Sequence, residues 1–219
     1  MRADQPPKLV IFDCDGVLVN SEPIFNRVLH EFLLICGAPL TYQECCDAFT
    51  GKNKFAVETY LTDAGLNVPD NWAKGFYERA LDALGKEVEA IDGVHALLEA
   101  LLKANIPFCV ASNGLMAKMQ VTLRRTQMLS YFEGQMFSAY DIGNRKPAPD
   151  VFLHAAKVNN VLPDDCVVIE DSASGFEAAQ NAQMPCFAYS PENPNTKIKL
   201  FGATAFESMS KLPDLLNLT

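Results

Sequence analysis

Two carboxylates, separated by one residue, follow a short apolar run near the start of the chain. Asp13 and Asp15 come directly after Leu9–Phe12. Two ionised carboxylates about 4 Å apart repel each other by roughly 4 kcal/mol at an effective dielectric constant of ~20. A chain that places them together needs a compensating positive charge, so Asp13 and Asp15 are candidates for cation binding and catalysis.

Three further polar clusters follow apolar runs later in the chain. They are Ser112 with Asn113 in FCVASNG, Lys146 in NRKPAPDVF, and Glu170 with Asp171 in VVIEDSASG. Taken alone, each has an ordinary explanation, because serine, asparagine and acidic residues commonly cap helices and a lysine is commonly a solvated surface charge. Four such coincidences after four apolar runs are improbable, and a shared site is favoured.

Apolar runs and helical patterns alternate over most of the chain, which predicts an α/β fold: a parallel sheet with helices on both faces. Strands of such a sheet are covered on both sides, so they are nearly continuous apolar runs. We predict strands at 8–13, 106–112, 135–138, 166–170 and 184–189, with a weaker one near 203–206. We predict helices between them at 93–104, 115–127, 148–160 and 173–182.

One long interval, residues 21–87, carries helical patterns without a convincing strand. Thr41 and Glu44 in TYQE have the spacing of a capping box, and Asp70 is a candidate cap for a later helix. A helical block at this place predicts a domain inserted after the first strand. The predicted division is a core of residues 1–20 and 88–219 and a helical cap of residues 21–87.

The predicted topology brings the four polar clusters together, because ligands of open parallel sheets bind outside the carboxyl ends of the strands. Several acids in one crevice need a cation, and hard oxygen ligands suit Mg²⁺. Lys146 supplies a positive charge for a phosphate, and the Ser112 hydroxyl with nearby backbone N–H groups supplies donors. Gly16 allows close approach of the backbone to a ligand.

These groups are the ones that phosphoryl transfer requires, since that reaction depends on positioning and charge neutralisation with a nucleophile in line. A carboxylate can be the nucleophile and form an aspartyl-phosphate, which divides one difficult step into two. The second acid would protonate the leaving oxygen and then activate water.

The motifs DCDGVLVNSE, ASNG, KPAPDVF and EDSASG, in this order and spacing, resemble the four motifs of the haloacid dehalogenase superfamily of phosphotransferases. The resemblance covers essentially the whole chain. It is closest to the branch with a helical cap, which contains beta-phosphoglucomutase-like and phosphoglycolate-phosphatase-like enzymes. The resemblance implies a Rossmann-like core and a cap that closes over the site.

The resemblance also implies a role for each motif residue. Asp13 would be the nucleophile and a Mg²⁺ ligand, and Asp15 would be the general acid and base, with its backbone carbonyl on the metal. Asp171 would be the other protein ligand of the metal, with Glu170 behind it in the second layer. The residues that would hold the phosphoryl group are Ser112, Asn113 and Lys146.

Two positions bear on the reaction type within this superfamily. Asp15 is an acid, whereas the 2-haloacid dehalogenases have no acid there and the phosphonatases have a small residue. Beta-phosphoglucomutases carry a histidine twelve residues after the nucleophile, where this chain has Phe25. A phenyl ring cannot take part in acid–base chemistry, so hydrolysis is favoured over a mutase reaction.

Two other functions remain alternatives: a mutase and a catalytically idle phosphate-binding protein. A third, a response-regulator receiver, is disfavoured because such a receiver has no counterpart to residues 21–87.

The substrate is expected to be set by the cap. FTGKNKFAVETYL resembles the substrate-specificity loop, and its Lys52 and Lys54 are candidates for meeting a second anionic group; solvated surface charges are an equal alternative. The segment from SNGLMAKMQ to AAKVNNV resembles bacterial 6-phosphogluconate phosphatases, which makes 6-phosphogluconate the leading candidate. Lys118 lies in that segment, and an exposed helical position is favoured for it over a contact with the site.

Composition excludes several other classes. A formal charge of −9 and an isoelectric point of about 4.8 disfavour binding to nucleic acid or an anionic membrane. No apolar segment is long enough for a transmembrane helix, and MRADQPPK lacks the apolar core of a signal peptide. Seven cysteines, several in apolar runs, predict buried reduced thiols. We therefore expect a cytoplasmic monomer whose partner is a small phosphate ester.

Overall fold

The computed structural model describes residues 5–50, 54–191 and 196–218, with the backbone alone at 54, 196 and 197. In this part of the chain, six strands form one sheet, and every neighbouring pair is parallel. The strands are β1 (Leu9–Phe12), β2 (Phe108–Ser112), β3 (Met136–Ser138), β4 (Cys166–Glu170), β5 (Cys186–Tyr189) and β6 (Thr204–Phe206). Each lies within its predicted range, so the predicted α/β fold is confirmed.

The strand order is β3-β2-β1-β4-β5-β6. Chain order therefore reverses at β1, whose Phe12 pairs in register with Val110 of β2 on one side and Ile169 of β4 on the other. The carboxyl end of β1 is thus the switch point of the sheet, where open α/β sheets bind ligands.

Two compact units make up the chain: Met1–Asn20 with Glu89–Thr219, and Ser21–Val88. The first holds the sheet and, among its described residues, the helices α5 (Val94–Lys103), α6 (Met116–Arg125), α7 (Ala139–Ile142), α8 (Asp150–Val158), α9 (Ala173–Asn181), α10 (Thr196–Leu200) and α11 (Leu212–Leu215). All residues of β1, β2 and β4 are buried, as their continuous apolar runs predict. The predicted buried thiols Cys14, Cys109, Cys166 and Cys186 are buried and free.

The second unit is helical in each of its described elements. They are α1 (Glu22–Ile35), α2 (Tyr42–Phe49), α3 (Lys54–Asp63) and α4 (Trp72–Glu87). Its apolar core includes Leu33, Leu61 and Phe76. The unit ends at Val88, one residue beyond the cap boundary expected from the sequence.

Local sequence explains two helix starts in this unit, one of them differently from the prediction. The capping box is present: the Thr41 backbone N–H donates to Glu44 at 2.8 Å, and the Glu44 N–H donates to the Thr41 hydroxyl at 3.2 Å. Asp70, in contrast, is not the cap of α4. Asn71 precedes that helix with φ of 56°, a left-handed conformation that asparagine adopts more readily than most residues.

None of the described helices is both long and apolar enough to cross a membrane.

Candidate active site

Three of the sequence-predicted site residues meet at the carboxyl ends of β1 and β4. The Lys146 ammonium donates to Asp13 Oδ1 at 2.5 Å and to Glu170 Oε1 at 2.8 Å. All three residues are nearly inaccessible, with exposures of 6% for Lys146, 7% for Asp13 and 1% for Glu170. The fold thus buries one lysine between two acids that are far from it in sequence.

The charges of this cluster do not balance, and the pKa values show the consequence. Burial above all, opposed by Lys146 and reinforced by the nearby Glu170 and Asp15 charges, raises the pKa of Asp13 to about 7. Burial also acts to lower the pKa of Lys146, but the two adjacent carboxylates outweigh it, and the net shift is upward. Lys146 is therefore protonated, and Asp13 lies where one more cation would stabilise its ionised form.

Glu170 has both carboxylate oxygens engaged within the protein. Oε1 accepts from Lys146, while Oε2 accepts from the backbone N–H groups of Asp171 and Ser172, at 2.8 and 2.7 Å, and from the Ser172 hydroxyl at 2.9 Å. Lys146 and the two residues that precede α9 are thereby tied to one acid. Glu170 therefore anchors Lys146, Asp171 and Ser172 through four hydrogen bonds, and its place behind a metal ligand stays a prediction.

The contact between α9 and Glu170 depends on Gly175. A Cβ atom built on Gly175 would overlap the Glu170 carboxylate. Gly175→Ala is therefore expected to destabilise the protein by about 1–3 kcal/mol, since Glu170 cannot move without leaving its four donors. Thermal melting followed by circular dichroism measures the change.

A matched control is Gly75→Ala in α4, where the added methyl group meets no atom within 4 Å. Alanine is the better helix former, so this variant should be more stable by roughly 0.5–1 kcal/mol. Wild-type stability in Gly175→Ala would contradict the packing described for Glu170.

Asn113 takes up a position that the sequence motifs do not reveal. Its amide oxygen accepts from the Lys146 backbone N–H at 2.8 Å, and its Nδ2 donates to the Lys146 carbonyl at 3.3 Å. The side chain assigned to phosphate binding thus holds the Lys146 backbone on both its N–H and carbonyl sides, and its own contact with a phosphate stays a prediction.

Ser112 lies at the end of β2 with 2% exposure. Its hydroxyl oxygen accepts from the Gly114 N–H at 3.0 Å, and the Gly114 carbonyl in turn accepts from the Ser138 hydroxyl at 2.7 Å. Loop residues 112–114 are therefore fixed from β2 and β3.

Asp15 pairs with a residue whose position the sequence analysis predicted wrongly. Lys118 of α6 places its ammonium 2.8 Å from Asp15 Oδ1, and its side chain is 16% exposed. Because α6 begins four residues after the end of β2, its first turn lies beside the carboxyl end of the sheet, and the long lysine stem reaches the turn after β1. The expectation of an exposed helical position for Lys118 does not hold.

Asp171 lies against the turn that follows β1. Gly16 has φ of +80°, and a Cβ there would overlap the Asp171 carboxylate. Only glycine permits both this conformation and this close approach. The turn after β1 and the residue after β4 thus share one small space, as the expected convergence requires.

Comparison with known proteins identifies the family of the chain. Residues 10–189 match the model of the haloacid dehalogenase-like hydrolase family. The chain belongs to that family. The hydrolase is 35% identical over 208 residues to 6-phosphogluconate phosphatase of Escherichia coli, across 94% of this chain and 93% of that protein.

Two further relatives place the hydrolase more broadly. It is 30% identical to a phosphorylated carbohydrates phosphatase of Thermotoga maritima, over 79% of this chain and 80% of that protein. A family hydrolase of Deinococcus radiodurans, solved with phosphate and sodium bound, superposes with a TM-score of 0.82 at 30% identity, covering 98% and 97% of the two chains. The enzyme is a phosphoric monoester hydrolase of this family.

The oxygen donors of the hydrolase fit a Mg²⁺ ion. Among the described residues, no three His, Cys, Asp or Glu side chains are arranged to hold a metal by themselves. The expected set needs only two carboxylates, those of Asp13 and Asp171, with the backbone carbonyl of Asp15. A small set of hard oxygens suits Mg²⁺, which keeps several of its waters. The raised pKa of Asp13 is a second indication, because a bound cation would offset the cost of its charge.

The helical unit contains Phe25 and the two lysines, Lys52 and Lys54, to which the sequence analysis gave a meaning for reaction type and substrate. Phe25 packs edge-to-face on Phe76 at 4.9 Å between ring centroids and lies 6.1 Å from the Tyr77 ring, so it belongs to the aromatic packing of this unit. Lys52 lies outside the described residues, and Lys54 begins α3 with its side chain likewise outside them. Their assignment to substrate binding stays a prediction.

Proposed function

We propose that this hydrolase removes phosphate from small sugar phosphates, with Mg²⁺ as cofactor and an aspartyl-phosphate on Asp13 as intermediate. The observation that carries the proposal is the different surroundings of its two acids. Asp13 is buried and paired with Lys146, whereas Asp15 is partly exposed and paired with Lys118. Two carboxylates in different environments can take different roles in one reaction.

In the first step, an Asp13 carboxylate oxygen attacks phosphorus and the bond from phosphorus to the sugar oxygen breaks. The Asp15 carboxyl gives its proton to that oxygen, so the sugar leaves as an alcohol. In the second step, Asp15 takes a proton from water as the water oxygen attacks phosphorus, which releases phosphate and restores Asp13. Asp13, Asp171 and the Asp15 carbonyl would hold Mg²⁺, which would supply positive charge for the phosphoryl oxygens.

We propose that Lys146 and Ser112 supply further contacts to the phosphoryl group. Lys146 provides a positive charge whose position is fixed by Asn113 from the backbone side and by Glu170 from the ammonium side. The Ser112 hydroxyl, on a loop fixed by Ser138, provides a donor. Such prearranged donors stabilise charge without reorganisation during the reaction.

We propose 6-phosphogluconate as the leading substrate. The support is the 35% identity to the E. coli 6-phosphogluconate phosphatase over nearly the whole of both chains. The sequence adds that two cap lysines, Lys52 and Lys54, suit a substrate carrying a carboxylate in addition to its phosphate. We further propose that the enzyme acts in the cytoplasm as a monomer, without nucleic-acid or membrane partners.

A panel of phosphate monoesters tests the proposal. Purified enzyme is expected to release inorganic phosphate from a few sugar phosphates, with 6-phosphogluconate among the best, and EDTA should remove the activity until Mg²⁺ is restored in excess. Phosphate release that persists after exhaustive chelation would contradict the metal-dependent mechanism. Activity on sugar phosphates lacking a carboxylate, with none on 6-phosphogluconate, would contradict the substrate assignment alone.

The same panel separates hydrolysis from the mutase alternative. Conversion of a hexose 1-phosphate to its 6-phosphate, without net release of phosphate, would identify a mutase. Phe25 argues against this outcome, because its ring is committed to aromatic packing and carries no exchangeable proton. The pairing of Asp15 with a dedicated lysine argues against an idle phosphate binder, which has no use for a second acid.

A further inference from the structure

We infer that Lys118 is a positioning residue for Asp15, holding that carboxyl where it can exchange a proton with the leaving oxygen. The inference rests on the proposed phosphatase function and extends it to a residue outside the four sequence motifs. It assigns a separate lysine to each of the two acids, Lys146 to Asp13 and Lys118 to Asp15.

The first argument is the geometry of the pair. Lys118 Nζ lies 2.8 Å from Asp15 Oδ1, and the exposures of the two side chains are 16% and 30%. A contact this short and this far withdrawn from solvent is screened less than an ordinary surface ion pair. The contact also joins two different elements, since Lys118 lies on α6 and Asp15 in the turn after β1. It therefore restricts the orientation of the Asp15 carboxyl from outside that turn.

The second argument is the direction of the other Asp15 oxygen. A Cβ atom built on Gly114 would lie 3.4 Å from Asp15 Oδ2 and 3.3 Å from the Ser112 hydroxyl oxygen, so these two oxygens border the same space. With Oδ1 held by Lys118, Oδ2 is the oxygen that borders the same space as Ser112, the proposed phosphate donor. The two oxygens of the carboxyl thus lie on different sides: Oδ1 contacts Lys118, and Oδ2 lies on the side of Ser112.

A positioning role has a selective kinetic consequence. General acid catalysis is worth about 10²–10⁴-fold when the leaving group is a poor one, such as the alkoxide of a sugar. The p-nitrophenolate ion leaves readily without a proton. A misplaced Asp15 should therefore slow hydrolysis of sugar phosphates much more than hydrolysis of p-nitrophenyl phosphate.

The experiment compares Lys118→Met, Lys118→Arg and, as the matched control, Lys157→Met at an exposed position of α8. For Lys118→Met we expect kcat on the best sugar phosphate to fall by about 10–100-fold, part of the full general-acid effect, with KM changed by less than about threefold. On p-nitrophenyl phosphate its kcat should fall by less than about threefold. Lys118→Arg, which keeps the charge, should regain most of the loss, and Lys157→Met should match wild type.

A double-mutant cycle on the sugar phosphate gives a second, independent readout. If Lys118 acts through Asp15, adding Lys118→Met to Asp15→Asn should lower kcat by less than about twofold, because residues that act as one unit are not additive. Thermal melting of each variant shows that the comparison is made between folded proteins.

Several outcomes would overturn the inference while leaving the phosphatase function in place. They are an equal loss of kcat on both esters, a rise in KM with kcat unchanged, or full additivity in the cycle. Wild-type activity in Lys118→Met would do the same. Wild-type enzyme that releases phosphate from no ester at all would instead remove the proposed function, and the role of Lys118 with it.

Discussion

Asp13→Asn is expected to lose phosphatase activity by on the order of 10⁴-fold or more, the loss typical when a catalytic nucleophile is removed. Asparagine has nearly the same shape as aspartate but is too weak a nucleophile to form the covalent intermediate. Initial rates of phosphate release, measured with the best ester of the panel at saturating Mg²⁺, give the ratio. The exposed Asp63→Asn is the matched control and should retain full activity.

Stability measurements separate this loss from unfolding. Without a bound cation, the pKa of Asp13 is raised from 3.8 to about 7. A raised pKa means that the ionised form is penalised by folding, so stability is lost as the pH rises from about 4 through about 7. At pH 8 the neutral Asp13→Asn variant should melt at the same temperature as wild type or higher. Activity within tenfold of wild type would rule out Asp13 as the nucleophile.

Lys146→Met is expected to damage both the fold and the reaction. The substitution keeps the length of the side chain but leaves the buried carboxylates of Asp13 and Glu170 without their cation. Removing one partner of a buried ion pair typically costs about 3–5 kcal/mol. Denaturation in urea measures the stability, and phosphate release should fall to the background because the proposed phosphate-binding charge is gone.

The pH dependence of this defect has a definite sign. Asp13 already has its pKa raised to about 7 by burial, and loss of Lys146 raises it further. The deficit should therefore be larger at pH 8, where ionisation is forced, than at pH 5, where the folded protein holds the proton. The exposed Lys103→Met, at the end of α5, is the matched control. A deficit that does not change between these pH values would argue against unpaired carboxylates as its cause.

Adding Glu170→Gln to Lys146→Met tests the same cause from the other side. The double variant removes one of the two stranded charges and should recover part of the lost stability, although activity stays absent. No recovery would indicate that packing of the lysine stem, not charge, dominates at this position.

Much of the sheet was predictable from sequence because its physical signals are local. A parallel strand buried on both faces is a continuous apolar run. Polar residues such as Asp13 and Ser112 therefore mark the ends of such strands. The parallel topology then brings these strand ends together, since the carboxyl ends of all parallel strands lie at one edge of the sheet. The capping box at Thr41 is local in the same sense.

The partners of these residues were less predictable because they depend on side-chain direction across elements. Nothing in the pattern of α6 distinguishes Lys118 from a solvated lysine, since a long flexible stem is compatible with both positions. The only available signal was its place in the first turn of a helix that starts beside a site strand. The bond from Asn113 to the Lys146 backbone was missed for a similar reason: it joins two loops 33 residues apart.

The Asp13–Lys146 contact joins residues 133 positions apart. During synthesis, Asp13 leaves the ribosome long before Lys146 and Glu170 exist. Until β4 pairs with β1, the acids at the end of β1 are hydrated carboxylates with ordinary reactivity, and the burial that raises the pKa of Asp13 has not taken place. Catalytic competence is therefore acquired late in synthesis, and a truncated chain that stops before residue 170 would carry Asp13, the proposed nucleophile, without its buried partners Lys146 and Glu170 in place.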